Sequence, residues 1–301
     1  MLPNFLIVGA AKAGTTSLFE YLGEHPQIFT PAKKEPKFFS YGCYPSPLKG
    51  PGDDLVESQI VKNFDEYKKL FDNSDAYPLR GEASPDSLYY WNGAIPKIKK
   101  ILGDVKIIIM IRNPANRAFS NYMHLIRDGR ETLNFEAALD AEEYRINQNY
   151  EFFWHYRACG MLSDAVYSYC KEFTNVKIII FEEWIKNLNE EMGEIYQFLG
   201  VDYYPFASMG QVHNESGIPK NLVLQRIIHP KGFSKKVIRG FFKTIRLYSL
   251  AKMLRNKLRS ANLDKSTKIN PITYERLMSF YENDIIKLES CLERPIKLWK
   301  I

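Results

Sequence analysis

Residues 5–17 of the chain read FLIVGAAKAGTTS, and this stretch decides the fold. The run Phe5–Val8 is short and apolar, and Gly9 closes it, which is typical of a buried strand. Apolar side chains then recur at helical spacing over about Thr15–Gly23, where a glycine ends the predicted helix. The chain therefore opens with a strand, a glycine-containing loop and a helix.

The loop between this strand and helix has the composition of an anion site. Gly9 and Gly14 allow a tight turn, and the backbone N–H groups of such a loop converge with the N-terminus of the next helix. Lys12 adds a positive charge, and three hydroxyl groups follow in the first helical turn (Thr15, Thr16 and Ser17). A Walker A loop would carry Lys directly after its second Gly, where this chain has Thr. The loop is predicted to bind phosphate, and the alternative is a structural turn.

Two further β-branched runs indicate the other core strands. Val105–Ile111 is nearly continuous, as expected of a parallel strand covered on both faces, and a helix over about Ala115–Arg127 follows it. Val176–Phe181 repeats the pattern, with a helix near Asn189–Leu199. Strands that alternate with helices imply a parallel sheet. We predict an α/β fold, P-loop-like and three-layered, with a central parallel sheet flanked by helices in one domain over residues 1–301.

Two other segments complete the predicted organisation. Gly42–Gly52 is rich in Pro and Gly and is predicted to be a surface loop. Pro271–Leu292 is predicted to be a long amphipathic helix that packs on the sheet. Its apolar side would consist of Leu277, Phe280, Tyr281, Ile285, Leu288 and Leu292.

Positive charge is concentrated in one part of the chain. The formal net charge is +6, and twelve of the 41 Lys and Arg lie between residues 216 and 263, where there is no Asp or Glu. Apolar residues are interleaved with these cations, so residues 220–262 are predicted to be a basic helical segment. It has three interpretations: a lid over the substrate, a surface that binds acidic polymers or membranes, or a solvated helix pair.

The remaining composition limits the class of protein. No apolar run approaches the roughly 18 residues of a membrane span, and no signal-like segment precedes the first strand. The four cysteines (Cys43, Cys159, Cys170 and Cys291) are scattered, so we expect reduced thiols, no metal site and a cytoplasmic location. We expect neither a nucleic-acid partner nor an integral membrane segment. The oligomeric state stays open, a homodimer included.

A second anion-binding element follows the strand Val105–Ile111. Arg112 stands at the carboxyl end of that strand, where open α/β sheets bind ligands, and its guanidinium can form two parallel hydrogen bonds with a phosphate. Ser120 lies two turns along the next helix and can donate its hydroxyl to the same group. Arg117 on that helix is left open between a ligand contact and a solvated position.

Together the two elements resemble those of sulfotransferases that use 3′-phosphoadenosine 5′-phosphosulfate (PAPS). The stretch FLIVGAAKAGTTSLFEYLGEHPQI resembles the 5′-phosphosulfate loop of that family, and IIIMIRNPANRAFSNYMHL resembles its 3′-phosphate element. KKEPKFFS, GEASPDSLYY and HNESGIPKN are similar to stretches of its heparan-sulfate-type and bacterial branch. The likeness runs from Pro3 to near Asn221, and the tail ERPIKLWKI fits it as well.

The resemblance implies a set of residues that bind PAPS, whose product is adenosine 3′,5′-bisphosphate. The set consists of Ala11, Lys12, Ala13, Gly14, Thr15, Thr16, Ser17, Arg112 and Ser120, with Lys220 in a loop that closes over the nucleotide. No metal is implied, because the lysine and the loop amides already supply positive charge.

Sulfuryl transfer, like phosphoryl transfer, is an in-line displacement that needs a base on one side of the sulfur and cations on the other. Lys12 is expected to stabilise the leaving phosphate. Glu35 matches the Glu of the E-x-x-F-F segment that resembles the catalytic base of heparan-sulfate sulfotransferases, with pairing to Lys33 or Lys34 as the alternative. Lys37 falls where that branch often carries a residue that contacts substrate.

Glu82 is the rival candidate for the base. Related segments often carry Lys after this Glu, and this chain has Ala83 instead, which leaves one cation fewer near the sulfuryl group. Asp86, four residues further on, is expected to contact the substrate.

The predicted reaction transfers the sulfuryl group of PAPS to a hydroxyl or amine of a small-molecule acceptor. A natural product such as an alkaloid of the saxitoxin kind would fit, since the acidic residues expected near the site (Glu35, Glu82 and Asp86) suit a cationic acceptor. The alternatives are a polysaccharide sulfotransferase and a P-loop kinase. A kinase would need Gly-Lys-Thr in the loop and a carboxylate for magnesium.

Overall fold

The computed structural model describes residues 1–205, 218–219, 263–264 and 268–299. Within them, five strands form one parallel sheet in the order β2-β3-β1-β4-β5. Their bounds are β1 (Phe5–Gly9), β2 (Ile28–Phe29), β3 (Leu79–Ala83), β4 (Lys106–Ile111) and β5 (Val176–Ile180). A separate antiparallel pair, β6 (Ile218–Pro219) and β7 (Leu263–Asp264), brackets the basic segment 220–262, which lies outside the described residues.

Helices connect the strands and cover the sheet. Within the described ranges they are α1 (Thr15–Gly23), α2 (Asp53–Glu57), α3 (Phe64–Lys69), α4 (Asp86–Tyr89), α5 (Trp91–Leu102), α6 (Pro114–Arg127), α7 (Phe135–Asp140), α8 (Glu142–Asn147), α9 (Ser163–Glu172), α10 (Phe181–Lys186), α11 (Leu188–Leu199) and α12 (Pro271–Leu292). The predicted α/β fold, with a central parallel sheet flanked by helices, is confirmed.

The strand β4 lies at the centre of the core. Every residue of Ile107–Ile111 is fully buried, which requires cover on both faces because successive side chains of a strand point to opposite faces. Neighbouring β1 and β3 pack closely, since a β-carbon on Gly81 would overlap the ring of Phe5. All five strands are parallel, so their carboxyl ends meet at one edge of the sheet, and the candidate functional residues follow them there.

The segment Gly42–Gly52 differs from the predicted surface loop. Tyr44 and Leu48 within it are buried, because they pack in an apolar cluster with Phe152 and Cys159, and the buried carboxylate of Asp53 ties the end of the segment to the protein. This carboxylate accepts hydrogen bonds from the N–H of Gly50 over 2.8 Å, the N–H of Glu151 over 2.9 Å and the indole of Trp154 over 3.0 Å.

The C-terminal helix has the predicted bounds, and most of its predicted apolar side packs against the core: Leu277, Tyr281 and Leu288 are buried, and Ile285 and Leu292 are half-buried. Phe280, predicted to be buried, is 50% exposed. Asp284 is buried instead, and it accepts hydrogen bonds from the N–H groups of Leu162 and Ser163 at the start of α9. A polar contact between two helices therefore helps to choose the packed face, which an apolar pattern does not reveal.

Candidate functional site

The loop after β1 is shaped for close approach of a ligand to the backbone. Gly14 has a φ of 94° and precedes α1, and a β-carbon there would lie 2.8 Å from the ring of Phe181. Because Gly14 has no side chain with which to cap the helix, the first N–H groups and the dipole of α1 are available to an anion. The N–H of Ala10 donates to the carbonyl of Met110 over 2.6 Å and fixes the loop against β4.

Lys12 in this loop belongs to a group of cations. Burial is the main reason that its pKa falls to about 7, and repulsion by Arg127 and Arg112 lowers it further. Asp128 and Glu35 act in the opposite direction without reversing the shift. An anion bound at the loop would favour the charged form of Lys12, so these electrostatics suit an anionic ligand.

Arg112 directly follows β4 and joins the second predicted element to the loop. Its Nη1 donates to the carbonyl of Lys12 over 3.0 Å, and its guanidinium lies 4.7 Å from the ring centre of Phe181. Its Nε is buried and has no hydrogen-bond partner among the described residues. A buried N–H without a partner is unfavourable, so this atom is a candidate contact for a phosphate oxygen.

The other residues of the 3′-phosphate element have different surroundings. Ser120 on α6 is buried, and Lys220 lies outside the described residues. Arg117 on the same helix is fully buried and donates to the carbonyl of Tyr156, so its position is not a solvated one.

The segment Lys34–Lys37 holds Glu35 between two lysines. The Oε1 of Glu35 lies 2.9 Å from the Nζ of Lys34, and its Oε2 lies 3.4 Å from the Nζ of Lys37. Burial acts to raise the pKa of Glu35, but the two lysines outweigh it and hold the pKa at about 2. The side chain is 30% exposed, so the carboxylate is both ionised and accessible.

Backbone strain is concentrated at these candidate residues. Lys12, Glu35 and Lys37 have φ values of 71°, 59° and 57°, and they are three of the six non-glycine residues with positive φ in the described part of the chain. Each such residue costs roughly 1 kcal/mol. The N–H of Glu35 donates to the carbonyl of Ala83, and the N–H of Lys37 donates to the Oγ of Ser84, both over 3.0 Å. The end of β3 therefore holds the strained segment in place.

Lys34 is a site residue for which the sequence indicated no more than a pairing with Glu35. Its Nζ donates to the Oγ1 of Thr16 in α1 over 2.7 Å, in addition to its contact with Glu35. It therefore connects the phosphate loop to the candidate base. Its position next to Glu35 was the available sequence signal, and nothing in the pattern indicates a contact with Thr16.

Glu82 in β3 has surroundings unlike those of Glu35. It is 1% exposed, and its Oε2 accepts a hydrogen bond from the hydroxyl of Tyr67 over 2.8 Å. Burial raises its pKa to about 7, and the negative charges of Asp86 and Glu35 add to this rise. Glu82 thus has a pKa suited to a base at neutral pH but is shielded from an acceptor.

Asp86 at the start of α4 is fully buried. Its Oδ2 accepts hydrogen bonds from the hydroxyls of Ser40 and Tyr44, and its Oδ1 lies 3.8 Å from the Nζ of Lys37. The carboxylate has no exposed surface for an acceptor and contacts the site through Lys37.

A cavity of about 280 Å³ opens beside the loop at Ala10 and Ala11. Its apolar and aromatic walls include Leu88, Tyr89, Trp91, Phe152, Cys159 and Met161, and exposed polar side chains of Asp164, Asn283 and Lys287 also line it. The ring centre of Phe152 lies 5.3 Å from the Nζ of Lys37. The cavity therefore adjoins the loop, and Phe152 in its wall lies near Lys37 of the segment that carries Glu35.

Other kinds of site find no support in the described ranges. No group of three or more His, Cys, Asp and Glu there could hold a metal ion. The helices of these ranges are all too short or too polar to cross a membrane. The four cysteines are free thiols.

Comparisons with known proteins find a family model and a solved structure that match most of the chain. The family model described as "Sulfotransferase domain" matches residues 2–216. The crystal structure of a sulfotransferase from Alicyclobacillus acidocaldarius is 34% identical, with a TM-score of 0.77 over 99% of each chain. The membrane-associated sulfotransferase kil1 of Dictyostelium discoideum is 34% identical over 121 residues, which cover 40% of this chain and 22% of that protein.

A mouse heparan sulfate glucosamine 3-O-sulfotransferase 5 is 28% identical over 157 residues, which cover 50% of this chain and 40% of that protein. The chain thus spans less than half the length of these two curated relatives.

Proposed function

Because the chain belongs to the sulfotransferase family, we propose that it transfers the sulfuryl group of PAPS to a hydroxyl or amine of a small-molecule acceptor. The observation that carries this proposal is the contact between the two phosphate elements. Arg112 donates to the carbonyl of Lys12 over 3.0 Å, although the two residues are 100 positions apart. This contact supports the assignment of both residues to one donor, which carries two separate phosphate positions.

The donor side of the proposal assigns a task to each element. PAPS supplies an activated sulfuryl group and a leaving group, adenosine 3′,5′-bisphosphate. Ala11–Ser17 would hold the 5′-phosphosulfate through loop amides and the hydroxyls of α1. Arg112 would hold the 3′-phosphate through its unpaired Nε, together with Ser120. Lys12 would neutralise negative charge on the leaving phosphate.

Glu35 is the base in this proposal. Its carboxylate is ionised at neutral pH because its pKa is about 2. Such a carboxylate is a weak base, so it accepts the proton of the acceptor hydroxyl as the bond to sulfur forms and the hydroxyl becomes acidic. Glu82, buried against Tyr67, is assigned a structural role. Lys37, which lies between Asp86 and Glu35, orients the base.

The cavity beside the loop supports a small acceptor rather than a polysaccharide. Its volume of about 280 Å³ is close to the lower end of ligand pockets, roughly 300 Å³. Its aromatic walls suit an alcohol, phenol or amine with an apolar body. A cationic acceptor of the saxitoxin kind loses support, because the three carboxylates (Glu35, Glu82 and Asp86) already have partners within the protein.

Calorimetry and an acceptor screen test this proposal. Adenosine 3′,5′-bisphosphate is expected to bind, and ATP is expected to bind far more weakly, whereas the reverse order would favour the kinase alternative. PAPS is then incubated with phenols, aliphatic alcohols, amines and desulfated heparan oligosaccharides, and sulfated products are detected by mass spectrometry. Sulfation of the oligosaccharides alone would contradict a small-molecule acceptor.

A further inference from the structure

The side chain of Lys34 spans the two halves of the site. Its Nζ lies 2.7 Å from the Oγ1 of Thr16 and 2.9 Å from the Oε1 of Glu35. Thr16 belongs to the helical turn that holds the donor in the proposed function, and Glu35 is the base. The ammonium group therefore lies between the position of the leaving group and the position of the attacking oxygen.

In-line displacement gives this position a chemical meaning. The acceptor oxygen forms its bond to sulfur while the bond between sulfur and the bridging phosphate oxygen breaks. The electron pair of the broken bond leaves with adenosine 3′,5′-bisphosphate, and the acceptor proton passes to Glu35. The three remaining sulfuryl oxygens lie around the equator between the attacking and leaving atoms. A cation that contacts both Thr16 and Glu35 would face those oxygens.

The hydrogen-bonding capacity of Lys34 also suits a ligand. An ammonium group has three N–H donors, and among the described residues Thr16 and Glu35 accept two of them. The side chain is 18% exposed, so water has limited access to the charge. Thr16 accepts from Lys34 and keeps its own hydroxyl hydrogen for a ligand at the loop.

We infer that Lys34 is a further catalytic residue, one that contacts the equatorial oxygens of the sulfuryl group while it holds Glu35 in place. The inference rests on the proposed function and assigns a different catalytic role to each of two lysines. Lys12 stabilises the leaving phosphate, and Lys34 stabilises the group that is transferred.

Binding calorimetry without acceptor separates this role from simple support of the loop. Lys34→Met is compared with Lys33→Met, which removes the same charge from an exposed neighbour that forms no ion pair among the described residues. Adenosine 3′,5′-bisphosphate lacks the sulfuryl group, so Lys34→Met should leave its affinity within about twofold and weaken PAPS roughly tenfold, as for one charged hydrogen bond. Lys33→Met should change neither affinity, and Lys12→Met should weaken both.

The pH dependence of turnover provides a second measurement. Removal of Lys34 leaves Glu35 facing Lys37 on its own segment, Lys12 on the loop and the carboxylate of Glu82, while Asp86 acts on Lys37 and Glu82. The acid limb of kcat/KM for the acceptor should therefore move to higher pH in Lys34→Met and stay in place in Lys33→Met. We expect kcat to fall on the order of 10², as for loss of one preorganised donor to a transition state. Lys34→Arg, which keeps the charge, should have a kcat and an acid limb of kcat/KM close to those of the wild type.

Two results would overturn the inference. Equal losses of affinity for PAPS and the bisphosphate would make Lys34 a support of Thr16, and an unchanged kcat would exclude a contact with the reacting group. If the Met variant does not fold, Lys34→Gln, which keeps a hydrogen-bond donor without the charge, serves for the same measurements. Failure of the wild-type protein to bind either nucleotide would instead contradict the proposed function, so the two failures are distinguishable.

Discussion

The loop around Lys12 and the segment Lys34–Lys37 are two neighbouring regions that place lysine charges in opposite ways. In the segment, Glu35 lies between two lysines, which hold its pKa at about 2 against the effect of burial. In the loop, two arginines lie near Lys12 and add to the effect of burial, so its pKa falls to about 7. The charges of the segment are balanced within the protein, whereas an anionic ligand would stabilise those of the loop.

This difference separates two tasks within one site. The loop gains electrostatic stabilisation when an anion binds, so its residues should control affinity for adenosine 3′,5′-bisphosphate, which lacks the sulfuryl group that Lys34 is inferred to contact. The segment already has its counter-charges, so Glu35 should control the transfer step and leave donor affinity unchanged. Each region can therefore be altered while the other is measured as a control.

The largest expected effect comes from replacing the carboxylate of the segment. Glu35→Gln removes the base and should reduce kcat by about 10²–10⁴, the usual contribution of general base catalysis. Glu82→Gln should keep most of the turnover, because Glu82 is 1% exposed and bound to Tyr67. Steady-state kinetics with PAPS and an acceptor that the screen has identified as a substrate measure both variants.

The control for this pair is the affinity for adenosine 3′,5′-bisphosphate, which should be the same in both variants and the wild type. Full turnover in Glu35→Gln combined with loss of turnover in Glu82→Gln would reverse the assignment of the base.

The next effect concerns the charge of the loop. In the free protein the pKa of Lys12 is about 7, and a bound anion raises it, so binding takes up a proton above pH 7. Affinity for adenosine 3′,5′-bisphosphate should therefore fall by up to about tenfold for each pH unit between 7.5 and 9. Lys12→Arg keeps its charge over this range and should make the affinity nearly independent of pH.

Calorimetry in two buffers of different ionisation enthalpy measures this proton uptake directly. Uptake that is equal in the wild type and in Lys12→Arg would show that another group titrates, and the contrast between loop and segment would then be wrong.

Much of the fold could be predicted from the sequence, because its strongest signals are local. The apolar runs at β1, β4 and β5 and the glycines of the loop indicated the parallel sheet and the start of α1. The short strand β2, the exposure of Phe280 and the burial of Asp284 on α12 were not predicted. All three depend on contacts between distant segments, such as the cap that Asp284 places on α9.

The candidate site was predictable in its residues more than in its electrostatics. The motifs named Lys12, Glu35 and Arg112, and the structure brings them to one edge of the sheet. The sequence could not distinguish Glu35 from Glu82, because their difference in exposure arises from packing. It could not reveal the contact of Lys34 with Thr16, because that contact depends on how the segment Lys34–Lys37 packs against the start of α1. The cytoplasmic location, the oligomeric state and the role of Lys220 stay predictions.

The smallest expected effect concerns stability and uses Glu82 as a carboxylate without lysines beside it. Its folded-state pKa is about 7 against an ordinary value of 4.5, so the folded protein retains a proton that the unfolded chain loses between these values. The resulting stabilisation is fully present below pH 4.5 and is lost as the pH rises through 7, a change of roughly 3–4 kcal/mol. Glu82→Gln removes this titration and leaves the other carboxylates of the protein unchanged.

Urea unfolding of the wild type and Glu82→Gln at pH 5.5 and pH 8 measures this change. The wild type should lose more stability than the variant between the two pH values, and the difference between the proteins isolates Glu82 from every other titrating group. The difference in stability between the wild type and Glu35→Gln should stay nearly constant between the two pH values, because the pKa of Glu35 is about 2 and its carboxylate is ionised in this range. If the difference in stability between the wild type and Glu82→Gln instead stayed constant, Glu82 would be ionised in the folded protein. It would then compete with Glu35 as a carboxylate available to accept a proton.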